Sequence, residues 1–138
     1  MLTDMLALII AVILSLEADF VQTKSSALMS EPQVATGHMS YHAPDYMLWA
    51  YETPEAMRWE IDGQKSNVNP QVQKLLRMIM RSIAGETTDD PALQKESKKL
   101  FRDIKITMDE RNEVARRVEM TEKNGDMTII EFTNVRKQ

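Results

Sequence analysis

From Ala18 to Asp62 the chain alternates apolar and polar residues in short runs, and each run stops at a turn signal. A period of two cut at such intervals specifies an antiparallel meander. Ala18 to Lys24 forms the first run, with Phe20 and Gln22 on one face and Val21 and Thr23 on the other. A polar loop over 25–32 follows. Gln33 to His42 resumes the alternation, Ala43-Pro44-Asp45 supplies a turn, and Tyr46 to Glu52 and Ala56 to Asp62 give two more strands split by Thr53-Pro54.

The period changes at Asn69. Val72, Leu75, Leu76, Ile79, Met80 and Ile83 recur at helical spacing, while Gln73, Lys74, Arg77 and Arg81 fall mostly elsewhere. Asn69 fits the N-cap, Pro70 the first helical position and Gly85 the stop, so an amphipathic helix is predicted over 69–84. Residues 86–97 are polar and read as a mobile loop. Leu100 to Met108 reads as a strand with Ile104, Ile106 and Met108 facing one way. Val114 to Glu122 and Met127 to Asn134 flank Asn124-Gly125, a strong hairpin signal. A two-residue turn there places Met120 opposite Ile129, Thr121 opposite Thr128 and Arg117 opposite Phe132. The expected fold is therefore α+β: one domain over 1–138, built on one curved antiparallel sheet covered by helices.

The run Met5 to Leu16, "MLALIIAVILSL", is apolar on every side. It is shorter than the roughly 20 residues that span a bilayer. It lacks the preceding Lys or Arg of an export signal, and Asp4 stands there instead. Three readings stay open for 1–16: a buried helix of the mature domain, a degenerate signal, or a membrane anchor.

Charge limits the class of partner. Seven acidic residues and one basic residue, Lys24, lie in 1–57, against a net charge of −4 for the whole chain. An acidic half of this kind argues against a nucleic-acid footprint. With no Cys there is no disulfide, no Cys-based zinc site and no Cys nucleophile.

Reactive constellations are also missing. The four glycines do not cluster, so no phosphate loop forms. His38 and His42 are four apart on a strand, about 13 Å at ~3.3 Å per residue, too far to share a metal. Asp89-Asp90 and Asp109-Glu110 fit turns and solvation better than acid–base work. Lys98, Lys99, Arg102 and Lys105 fit a solvated strand edge. We expect no catalysis, no cofactor and no metal. The chain does hold eleven Met against three Phe, and it sets Tyr41, Tyr46, Trp49, Tyr51 and Trp59 within one short stretch. Taken alone, such a stripe serves a packed core as readily as an adaptable ligand surface.

Several segments carry a resemblance. They are Phe20-Val21-Gln22, the Gly37 to Tyr41 strand, the Pro44-Asp45 turn, the strand with Trp49, the helix "LLRMIMRSIAG" and the tail from Leu100. Together they resemble the periplasmic outer-membrane lipoprotein carriers, the LolA-like family, as a short or reduced member. The resemblance implies an unclosed β-barrel with a helical lid. It also implies a periplasmic, non-catalytic role, in which an apolar cavity shields lipoprotein acyl chains between an inner-membrane lipoprotein-releasing transporter and an outer-membrane acceptor. The sequence departs from the family at Ala43, where an Arg thought to help hold the lid is usual. It also lacks strand material after Gly63 and around Asp90, which implies exposed edges. On this reading Phe20, Met39, Tyr41, Trp49, Trp59, Ile106, Met108 and Met120 line the concave face, and Leu76, Met80 and Ile83 close it from the lid. The alternative function is an envelope interaction or sensor module with the same sheet and a filled interior.

Overall fold

The computed structural model describes residues 15–44, 46–63, 65–86 and 91–138. Eight strands form one antiparallel sheet: β1 (Ser15–Ser25), β2 (Gln33–His42), β3 (Tyr46–Thr53), β4 (Met57–Asp62), β5 (Lys65–Ser66), β6 (Phe101–Met108), β7 (Ala115–Glu122) and β8 (Met127–Lys137). Their order is β5-β4-β3-β2-β1-β8-β7-β6, so the sheet is curved and does not close. Two helices, α1 (Pro70–Ile83) and α2 (Pro91–Ser97), belong to the crossover that carries the chain from the β5 edge to the β6 edge.

The alternation places one residue in two on the concave face. Along β1 these are Leu16, Ala18 and Phe20, each at most 2% exposed. Their ladder partners continue the row: Leu16 faces Tyr41, Ala18 faces Met39, and Phe20 faces Gly37 on one side and Phe132 on the other. Gly37 is required at its place. A Cβ there would lie 2.1 Å from the Ala50 carbonyl oxygen and 2.5 Å from Cζ of Phe20, whose ring covers the glycine.

The α1 boundaries follow from local chemistry. Asn69 accepts the Gln71 amide at its side-chain oxygen (2.9 Å), and Pro70 opens the first turn. At the other end Gly85, at φ +78°, donates to the Ser82 carbonyl while Glu86 donates to that of Arg81, a Schellman closure. Leu75, Ile79, Met80 and Ile83 are the buried apolar stripe. Two polar links hold this end to the sheet: the Tyr41 hydroxyl donates to Glu86 at 2.6 Å, and Lys137 Nζ donates to the Ala84 carbonyl at 2.7 Å; the same Nζ also donates to the Glu113 carbonyl at 2.8 Å. Nearer the start of the helix, Arg77 donates to the Gly63 carbonyl at 2.6 Å.

Three expectations are corrected. Ser15 and Leu16, assigned to the N-terminal apolar run, belong to β1, with Leu16 paired to both Tyr41 and Lys137; the rest of that run lies outside the described residues. The expected loop over 86–97 contains α2, which buries Leu93 and Ser97. The last hairpin is shifted by one. Met120 faces Thr128, Thr121 faces Met127 and Arg117 faces Glu131. The turn takes three residues, since the Glu122 amide donates to the Asp126 carbonyl and Gly125 (φ +94°) donates to that of Glu122. That is a type I turn closed by a left-handed glycine, the next commonest solution after the two-residue turn. The open sheet leaves two edges, each only partly covered. β5 has only two residues, and beside β6 the Gln94 amide donates to the Ile104 carbonyl at 3.2 Å.

Candidate functional site: an apolar cavity beneath the first helix

The concave face and α1 do not meet everywhere. Between them lies a cavity of about 720 Å³, within the range that holds small ligands. Val72, Leu75, Leu76, Ile79, Met80 and Ile83 form its helical wall; this is the helical repeat read from the sequence. β3 and β4 supply Trp49, Tyr51 and Trp59, and the opposite half of the sheet supplies Val118, Met120 and Ile130. Leu100 and Phe101 complete that side.

The floor on the β3 side is aromatic. Phe20 stacks on Trp49 with centroids 4.4 Å apart and meets the edge of Tyr51 at 5.3 Å. Trp49 meets Phe132 edge-on at 6.1 Å, and Tyr51 meets Trp59 at 6.4 Å. Such contacts fix ring orientation as well as burying area. The rings therefore offer a preformed wall, whereas Leu76, Met80 and Met120 are flexible enough to adapt to an occupant.

Polar groups are few. The Tyr51 hydroxyl donates to the Gln22 side-chain oxygen at 2.7 Å, and burial pushes its phenol above the ordinary 10.0 despite that bond. Lys24 and Glu122 face each other at 3.6 Å, and Lys123, Asn124 and Thr128 complete the lining. Among the described residues, no group of three His, Cys, Asp or Glu converges to hold a metal.

Six of the residues expected at the site line this space: Trp49, Trp59, Leu76, Met80, Ile83 and Met120. Phe20, Met39 and Tyr41 do not. They are buried in the core, 0–3% exposed, with Phe20 directly behind the Trp49 ring and Met39 its ladder partner. Ile106 and Met108 also miss it. They pack partly buried on the core, and β6 runs away from the cavity until Met108 pairs with Ala115. As lining residues, sequence reasoning missed Tyr51, although it shares a face with Trp49 two residues earlier, and the apolar Val72, Leu75, Ile79, Leu100, Phe101, Val118 and Ile130. The polar residues at the cavity rim were missed as well, because the alternation gave no signal for them.

The convex face is mostly polar. His38 lies 3.1 Å from Asp19 and 3.6 Å from Glu17, whose Oε2 is buried without a hydrogen bond. Asn134 donates to Asp19 at 2.8 Å. That bond and the one to His38 hold the Asp19 carboxyl below its ordinary 3.8. His42 is exposed on the same strand.

No helix among the described residues is long and apolar enough to cross a membrane. No protein-family model matches the chain, and no curated protein matches it. Among solved structures the chain is similar to that of a DUF1329 family protein from Desulfovibrio piger. The identity is 8% over 90% of this chain and 85% of that one, with a TM-score of 0.42, a likeness too loose to bear on function.

Proposed function

We propose that the protein is a non-catalytic carrier that shields acyl chains in the cavity beneath α1. The observation that carries this reading is the cavity itself: about 720 Å³ walled mainly by aliphatic, aromatic and Met side chains. Acyl chains need apolar area and no directional partner, and burial contributes roughly 0.8 kcal/mol per methylene. The open space also counts against a module with a filled interior.

The resemblance to the LolA-like carriers supplies the rest of the proposal. On it the protein works in the periplasm, takes acyl chains released at the inner membrane by a lipoprotein-releasing transporter and yields them to an outer-membrane acceptor. α1 serves as the lid. With Ala43 in place of the family's usual arginine, its fastening falls to Tyr41–Glu86 and to Lys137.

Native mass spectrometry of protein purified without detergent tests the carrier role. The expected spectrum shows adducts of lipid or acylated-peptide mass. In parallel, adding acylated peptide changes tryptophan emission, because both tryptophans line the cavity. A clean apoprotein mass together with unresponsive fluorescence rejects the proposal.

A further inference from the structure

The polar groups of the cavity are gathered at one end. Gln22 and Lys24 stand near the outgoing end of β1, and Glu122, Lys123 and Asn124 at the β7–β8 turn. Thr128 is the ladder partner of Lys24, and the Tyr51 hydroxyl is bonded to Gln22, so both belong to this end as well. The remaining lining is apolar. A space that is apolar along its length and polar at one end matches an amphiphile, not a plain hydrocarbon.

The sign of charge at that end is also defined. Arg102 donates to the Lys123 carbonyl at 2.9 Å, which brings its guanidinium to the same turn as Lys123 and Lys24. Glu122 and Asp126 oppose these three cations. Asp126 is already occupied by the Asn124 side-chain amide at 3.3 Å, and Glu122 by Lys24. Lys24 and Glu122 keep 38% and 32% of their side chains exposed. Pairs in such surroundings are weak, so an incoming anion can displace Glu122 from Lys24. With about 720 Å³ of open space, the cavity has room for at least one long acyl chain.

Resting on the carrier reading, we propose that the cavity takes an amphiphile with an anionic head, its tail under α1 and its carboxylate or phosphate between Lys24 and Lys123. This adds a charged end to the acyl cargo of the carrier reading.

Tryptophan fluorescence titration tests it with palmitate, palmitoyl-lysophosphatidylglycerol, hexadecanol and hexadecyltrimethylammonium. The two anionic probes are expected to bind about tenfold more tightly than hexadecanol, as one charge-assisted contact implies. The cationic probe is expected to bind most weakly. Palmitate ahead of the lysophospholipid assigns a carboxylate head, and the reverse order assigns a phosphate. The ratio of palmitate to hexadecanol affinity is expected to fall about tenfold in Lys24→Gln and to rise in Glu122→Gln, opposite directions that a folding defect cannot produce. If anionic and neutral probes bind alike and neither variant moves the ratio, the head assignment is overturned while the carrier reading stands. Silence from all four probes and from acylated peptide overturns the carrier reading as well.

Discussion

The two ends of the space between α1 and the sheet are built from the same pattern and do opposite things. Just past the last turn of the helix, Leu16, Tyr41 and Ala84 are almost fully buried, and Tyr41–Glu86 and Lys137–Ala84 tie helix to sheet. Along the helix itself, from Val72 to Ile83, Trp49, Tyr51, Trp59, Leu76 and Met120 are only partly buried and face open volume. Both ends alternate apolar residues along strands opposite an apolar helix stripe. One end fills the space between them and the other leaves it. Apolar patterning thus sets which face a residue takes, while the fit of side chains across the gap sets whether a core or a cavity results.

Substitutions break or sharpen that contrast. Phe20→Ala should cost the most, about 3–5 kcal/mol, because the ring is 1% exposed and backs the Trp49 wall; urea unfolding reads it. Next comes Gly37→Ala, which forces a Cβ against the Ala50 carbonyl and the Phe20 ring and should cost about 1–3 kcal/mol in the same assay. Tyr41→Phe removes one hydrogen bond to Glu86, and about 1 kcal/mol of stability should go with it. Hydrogen exchange should show the loss concentrated at the C-terminal turn of α1. Met120→Ala should cost under about 1 kcal/mol, since a side chain facing open volume gives up few contacts. If Met120→Ala costs as much as Phe20→Ala, the two ends do not differ in packing and the contrast fails.

The smallest effect is one of pH. Asp19 has its carboxyl held below 3.8, chiefly by Asn134 and then by His38. A lowered folded pKa means the group's contribution is complete above 3.8 and is lost as pH falls through the folded value. In acid titration wild type should therefore be the more stable of the two above about pH 3.8, and the gap to Asp19→Asn should close as pH falls below it.

The sequence made some elements legible and hid others for definite reasons. β2 and the caps of α1 were readable because turn residues and an Asn-Pro start are local signals. α2 was hidden because seven residues with only Leu93 and Ser97 buried do not establish a period. The last hairpin was off by one because Asn124-Gly125 serves both a two-residue and a three-residue turn. At the site, alternation found the correct face for Trp49, Trp59 and Met120. Phe20 and Met39 have that same face, and only the stacked Trp49 ring in front of Phe20 excludes it from the cavity. Depth within a face is a property of neighbours from other strands, and the local pattern does not encode it.

The central place of β1 in the sheet has a consequence for how the chain acquires this structure. One of its edges is satisfied at once by β2 through a short hairpin. The other waits for β8, and the Asp19–Asn134 bond closes a separation of 115 residues. Until that strand arrives, Phe20 lacks Phe132 and β1 presents a bare edge. Such distant closure pays its loop entropy before any contact is returned, which places this sheet among slow folders. A nascent chain in that interval is open to whatever else can pair with a strand edge, so a holdase during synthesis should raise the yield of folded protein.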